Sequence, residues 1–182
     1  NAEAEKALAD NGLRLEKILL THGHCDHITG LAGMVSDTGA EVFIHEADKS
    51  KLSDAYYNLT EYFGLPAIPK PDGKITAVKD GDEIMLGDIV IKVMHTPGHT
   101  KGSVMYIAED VIFSGDTIFC GSIGRTDMPD GDMAAMEKSL KKVAAFVGDH
   151  SDYRILAGHG GETTLNREKS TNPYTRNGSK GF

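Results

Sequence analysis

The stretch 21-THGHCDH-27 constrains this chain more than any other. His22, His24, Asp26 and His27 put four metal-ligating side chains within six residues, directly after the short apolar run 16-EKILL-20. That run reads as a strand of the buried type. In extended backbone alternate side chains share a face, so His22, His24 and Asp26 are expected to converge, while His27 opens the next helix and approaches from another side. Imidazole and carboxylate without thiolate suit zinc, iron or manganese, in hydrolytic rather than purely structural sites. The bland alternative is a solvated polar turn, or a helix N-cap with Asp26, and the density of potential ligands weighs against both.

Three later stretches repeat the arrangement. In 95-HTPGHTKG-102 a Pro-Gly turn precedes His99, in 114-SGDT-117 a glycine precedes Asp116, and in 158-GHGGE-162 His159 sits between glycines. Each follows a strand pattern. Glycine at these places lets backbone approach closely and frees the ligand side chain. Loops that leave strand ends can be aimed by a rigid scaffold at one point. Taken singly, each of these residues is equally a turn residue.

The rest of the chain organises around these loops. A helix over residues 2–11 closes at Asn11-Gly12, and a second helical pattern runs over 28–39, with Ile28, Leu31 and Val35 on one face. A strand at 41–45 leads to a helix beginning near Ala47, then to a Pro- and Gly-rich loop over 64–73. From residue 74 the pattern turns to β, at 75–78, 83–86, 89–95, 103–108 and 111–113, with Gly87-Asp88 as a hairpin signal. A Gly-rich loop over 115–131, a helix over 132–147, a last strand at 153–157, then a loop and a short polar tail complete it. Helices flanking mostly antiparallel strands predict a layered α/β or α+β domain.

Length and composition set the class. With 182 residues, 40% hydrophobic and 25% charged, the chain fits a single globular domain over 1–182. A net charge of −8 argues against a nucleic-acid partner, and no apolar run approaches the ~18 residues of a membrane span. Two cysteines make no disulfide framework, so a reducing cytoplasm is the expected location.

In this order, His-x-His-x-Asp-His, Gly-His-Thr, Ser-Gly-Asp and Gly-His-Gly resemble the metallo-β-lactamase superfamily, from about Lys17 to Pro173. The segments 115-GDTIFCGSIGRTDMPDGD-132 and 158-GHGGETTLNREKSTNP-173 resemble its hydroxyacylglutathione hydrolase-like (glyoxalase-II-like) branch. The resemblance implies an α+β fold, a four-layered αβ/βα sandwich. It implies two divalent metals, zinc first with iron or manganese as alternatives. His22, His24 and His99 would hold one metal; Asp26, His27 and His159 would hold the other, with Asp116 bridging. It also implies a metal-bridging hydroxide as nucleophile, with Asp26 and Asp116 as the catalytic carboxylates, and a small acyl thioester as substrate. Family members begin with strands and an Asp-Pro-Gly loop that this sequence does not contain, so the sandwich is expected to lack N-terminal strands and to show an open sheet edge. The hydroxyacylglutathione hydrolases proper also carry a helical C-terminal extension that supplies basic residues for glutathione, whereas this chain stops soon after Pro173. A homodimer is compatible with all of this.

The other candidate residues read as structural. His45 ends a strand, His95 either supports a ligand or simply packs, and His150 follows a helix end. Cys25 and Cys120 read as packing residues, Cys120 as a small buried one. Arg125 and Asp127 read as a buried ion pair that fixes the Asp116 loop; Tyr174 and Arg176 lie near the tail within reach of a substrate. Two other functions compete with the hydrolase: a persulfide-dioxygenase-like oxidoreductase with a single iron, which does not need His159, and a non-catalytic metal-binding module.

Overall fold

The computed structural model describes residues 2–176. Its internal contacts divide it into two compact units, Asn1–Val78 and Lys79–Phe182. Among the described residues no helix is long and apolar enough to cross a membrane.

The first unit runs α1 (Ala2–Asp10), β1 (Lys17–Leu19), α2 (Cys25–Ile28), α3 (Leu31–Thr38), β2 (Glu41–His45), a 3₁₀ helix (Glu46–Leu52) and β3 (Ile75–Val78). Its three strands lie in the order β1-β2-β3 and all pair in parallel, with Ile18 opposite Val42 and Val42 opposite Ile75. Parallel neighbours need crossovers. Helices α2 and α3 supply the first, and the 3₁₀ helix with the Pro-rich loop supplies the second. Leu31 and Val35, one helical turn apart, pack with Leu20, Val42 and Ile44, each fully buried side chain contributing roughly 1.5–3 kcal/mol. Gly39 ends α3 in the left-handed conformation (φ 69°), a C-cap that only glycine adopts cheaply.

The second unit holds β4 (Glu83–Leu86), β5 (Ile89–His95), β6 (Val104–Ala108), β7 (Val111–Gly115), the small hairpin β8 (Ile118–Phe119) and β9 (Ser122–Ile123), then α4 (Met133–Ala145), β10 (Arg154–Ala157), β11 (Thr163–Thr164), α5 (Leu165–Thr171) and α6 (Pro173–Arg176). The six-stranded sheet has the order β11-β10-β7-β6-β5-β4. Only β10 with β7 is parallel, which is why a whole helix, α4, separates them in sequence. Helix α4 starts on Asp132, whose side chain accepts from Ala135 N at 3.0 Å, and buries Met136, Leu140 and Val143 among Met105, Ile107, Ile112 and Ile155.

Several expectations change. The strand 75–78 belongs to the parallel sheet rather than to the antiparallel run, because the 64–73 loop carries the chain back beside β2. The segment after Ala47 is 3₁₀ rather than α. The loop over 115–131 contains a hairpin, and the stretch after residue 157, expected as a loop and a short polar tail, contains β11, α5 and α6.

One ion pair ties α4 to the strand that feeds the His99 loop. Asp80 accepts from His95 N at 2.8 Å and from Lys142 Nζ, and Lys142 also donates to the His95 carbonyl at 3.0 Å. Partial burial opposes ionisation of Asp80, but the Lys142 and His95 hydrogen bonds outweigh it and hold the carboxyl below its usual value of 3.8. A carboxyl more acidic in the fold than in the unfolded chain stabilises above its unfolded pKa, and that stability is lost as pH falls through the folded pKa. Asp80→Asn is therefore expected to cost about 1 kcal/mol at pH 7. The Tm gap between variant and parent should begin to narrow near pH 3.8 and close only below it, as the pH falls through the lowered folded pKa, in thermal melts.

Candidate metal centre

In the first unit the ligand loop leaves β1 and folds straight into α2. His22 and His24 are buried, at 1% and 2% exposure, with ring centroids 4.8 Å apart; the His27 ring lies 4.1 Å from that of His22. The extended run expected through Asp26 ends at His24, because helix α2 begins at Cys25, whose carbonyl accepts from Thr29 N. Asp26 accordingly lies in the first turn of α2, half exposed, with its Oδ2 3.7 Å from His27 Nε2. Cys25 is buried, and burial followed by the Asp26 charge pushes its thiol pKa up, as for a packing residue.

The backbone of this loop is held from beneath. The buried carboxylate of Asp48 accepts from Gly23 N at 2.9 Å, and the Asn58 carbonyl accepts from Cys25 N at 2.8 Å. Asn58 in turn donates through Nδ2 to the Lys51 carbonyl. A Cβ on Gly23 would lie 2.6 Å from Lys51 Cβ, so residue 23 must be glycine for the loop to sit this close.

In the second unit three ligand candidates come together. Asp116 Oδ2 lies 3.5 Å from His99 Nε2 and 3.5 Å from His159 Nε2. His99 Nδ1 is paired with the Arg125 carbonyl at 2.7 Å, which fixes the ring. Gly98 (φ 144°) lies against α4, where a Cβ would meet Met136 Cα at 2.4 Å. Gly115, with φ 49°, turns the chain into Asp116, and its carbonyl accepts from Gly158 N at 2.9 Å. At the same place the β7–β10 register shifts between Leu156 and Ala157, a bulge that redirects the chain into the His159 loop.

The remaining residues fall as follows. Arg125 and Asp127 form a bidentate pair at 2.8 Å, but an exposed one, so the buried pair read from the sequence is not there. The guanidinium holds Asp127 down to about 2, and what reaches the ligands is the Arg125 main chain. Cys120 is exposed at the β8–β9 turn rather than buried, since that turn is a hairpin tip. His45 caps the 3₁₀ helix by accepting from Ala47 N, His95 Nε2 pairs with the Lys101 carbonyl, and His150 lies against Tyr153. Tyr174 packs on the core of the second unit, and Arg176 is exposed at the end of α6. The supports Asp48 and Asn58 lie outside the motifs quoted above, and no local signal in the sequence marks them.

A family model described as the metallo-beta-lactamase superfamily matches residues 1–159. The chain belongs to the metallo-β-lactamase superfamily. It is 34% identical over 166 residues to the hydroxyacylglutathione hydrolase GloC of Haemophilus influenzae, covering 89% of this chain and 76% of that protein. Among solved structures, TTHA1623 in a di-iron-bound form matches with a TM-score of 0.81 and 34% identity, covering 94% of this chain and 83% of that one. The B3 metallo-beta-lactamase BLEG-1 matches with a TM-score of 0.84 and 33% identity, covering 96% and 84%. The fold is accordingly the αβ/βα sandwich type of the superfamily.

The donor set fits metal ions of this superfamily. Two ligands each ~2.1 Å from one tetrahedral ion stand about 3.4 Å apart, close to the separations of Asp116 Oδ2 from each histidine nitrogen. These separations are too long for good hydrogen bonds. The chain's His and Asp side chains form a metal-binding cluster consistent with a binuclear metallo-hydrolase active site.

Two substitutions probe the supports. Asp48→Ala leaves the Gly23 N–H without its carboxylate and is expected to cost about 1–3 kcal/mol in denaturant unfolding. At Gly124 a Cβ would fall 1.9 Å from the Asp116 carbonyl oxygen and 3.1 Å from His99 Nδ1. Gly124→Ala is expected to weaken metal binding by at least ~10-fold in a chelator competition, with far-UV circular dichroism unchanged.

Proposed function

We propose that the two ligand sets act as one dinuclear centre within a single functional domain and that the enzyme hydrolyses a small acyl thioester. His22, His24 and His99 would hold one divalent ion, Asp26, His27 and His159 the second, and Asp116 would be shared between them. The observation that carries this reading is the equal 3.5 Å separation of one Asp116 oxygen from His99 and from His159, as for a carboxylate shared by two ions. It favours a second metal position over a single-iron oxidoreductase.

When bound, two divalent ions supply Lewis acidity for a carbonyl and lower the pKa of water toward ~7. The chain's own residues do the positioning. The Arg125 carbonyl fixes the His99 ring with Nε2 toward Asp116, and Asp116 is buried in a water-poor place where a carboxylate would act strongly on cations. The substrate class follows from the leaving group. A thiol of pKa ~8.5 departs as thiolate without a proton donor, whereas an amine needs one delivered. Similarity to a hydroxyacylglutathione hydrolase supports this choice. The second reading, opening of a β-lactam ring, draws on the comparable similarity to BLEG-1. Zinc is the proposed metal, with iron the alternative in view of the di-iron relative, and the cytoplasm the proposed location.

Elemental analysis should find two divalent ions per chain, and a panel of acyl thioesters including S-lactoylglutathione should release free thiol faster than a chromogenic cephalosporin is opened. A faster cephalosporin reaction would move the assignment to the second reading. Asp116→Ala is expected to lower kcat by more than ~100-fold, beyond the usual effect of an outer-shell residue, rather than simply to raise KM.

A further inference from the structure

Glu168 is a fully buried carboxylate in α5 that the proposed chemistry does not use. Its Oε2 accepts from Gly121 N at 2.9 Å and from Asn172 Nδ2 at 2.8 Å; its Oε1 accepts from Thr163 Oγ1 at 2.6 Å. Asn172, also fully buried, donates to the Ser122 carbonyl at 2.9 Å. These partners lie on two separate segments. Gly121 and Ser122 form the tip and return strand of the β8–β9 hairpin, and Thr163 opens β11 at the far end of the His159 loop.

Each segment leads to a ligand. The β8–β9 hairpin leaves Asp116 and returns at Gly124, whose backbone lies against the Asp116 carbonyl, and then at Arg125, whose carbonyl pairs with His99 Nδ1. Pinning the hairpin tip therefore fixes both the Asp116 main chain and the His99 ring. On the other side Ile155 pairs with Thr163, so the His159 loop is closed between β10 and β11, and the Thr163 hydroxyl holds that closure to Glu168.

We infer that Glu168 is a positioning residue for the metal centre, one carboxylate that sets the geometry of His99, Asp116 and His159 together. The inference rests on the dinuclear reading above. A carboxylate suits the task because its two oxygens accept several hydrogen bonds at fixed angles. Glutamine can keep the arrangement. Its carbonyl oxygen can take the Gly121 and Asn172 donors while its amide donates to Thr163 Oγ1, a hydroxyl that turns round to accept.

The test is cobalt(II) titration of the metal-free protein, read by visible absorption and by stoichiometry, with thermal melts alongside. Glu168→Ala is expected to weaken cobalt binding about 10- to 100-fold and to change the absorption envelope, while Glu168→Gln stays within a few-fold of the parent with the parent spectrum. Thr163→Val, which removes a single donor, is the companion if Glu168→Ala does not fold, and is expected to weaken the last cobalt equivalent more than the first. A Glu168→Ala or Thr163→Val protein with a lowered Tm but parent-like cobalt affinity and spectrum would overturn the inference and leave Glu168 a stability residue. A glutamine variant as impaired as alanine would overturn it too. If the parent protein itself takes up no cobalt, the dinuclear reading has failed instead.

Discussion

Asp116 and its two histidines impose the demand that organises the second unit. Side chains from three different loops must come together, with Asp116 Oδ2 3.5 Å from His99 Nε2 and from His159 Nε2. Loops are by default the mobile part of a fold, and each residue fixed costs roughly 1–2 kcal/mol of backbone entropy. The spacing therefore has to be imposed by what lies under each loop. Under the His99 loop it is the α4 backbone against Gly98; under Asp116 it is the returning hairpin at Gly124; beside His159 it is the Gly158–Gly115 hydrogen bond and the bulge in β10.

The first unit meets the same demand with different pieces. His22 and His24 leave the end of β1, and Gly23 between them is fixed by Asp48, while Asn58 takes the next free N–H at Cys25. In both units a buried carboxylate on a helix reaches a glycine N–H in or near a ligand loop: Asp48 to Gly23, and Glu168 to Gly121. Backbone is a sound handle for this purpose, since an N–H has no rotamer to lose and its direction follows from the chain path.

The loops that make up the candidate site were legible in the sequence because they carry a dense local signature, four potential donors in six residues and a glycine before each later candidate. One helix core was legible for a similar reason: Ile28, Leu31 and Val35 repeat at helical spacing. What was not legible depends on partners distant in sequence. The strand 75-ITAV-78 has the same local pattern whether it pairs with β2 or β4, so only the tertiary crossover decides. The hairpin β8–β9 has two residues per strand, too few for any alternation to show, and is held by Glu168 and Asn172 some 50 residues away. Arg125 was singled out for its charge, yet its carbonyl is what meets His99, and a main-chain group has no residue type to read.

The composition of the Glu168 cluster gives a final argument about cost. Taking a carboxylate out of water is expensive, and apolar side chains of similar volume commonly stabilise a fold as well as a buried polar set does. Here every donor to Glu168 is neutral: a main-chain N–H, an amide and a hydroxyl. Stability alone would be served as well by a leucine among aliphatic neighbours. A leucine, however, would leave the Gly121 N–H and the Thr163 hydroxyl without direction, and both the hairpin tip and the β11 end would be free to settle wherever packing allowed. Apolar contact sets a distance loosely and an orientation hardly at all, whereas three hydrogen bonds to one planar group set both. Where Asp116 stands equally far from two imidazoles, orientation is the scarcer quantity, and a buried planar hydrogen-bonding group such as the Glu168 side chain provides it.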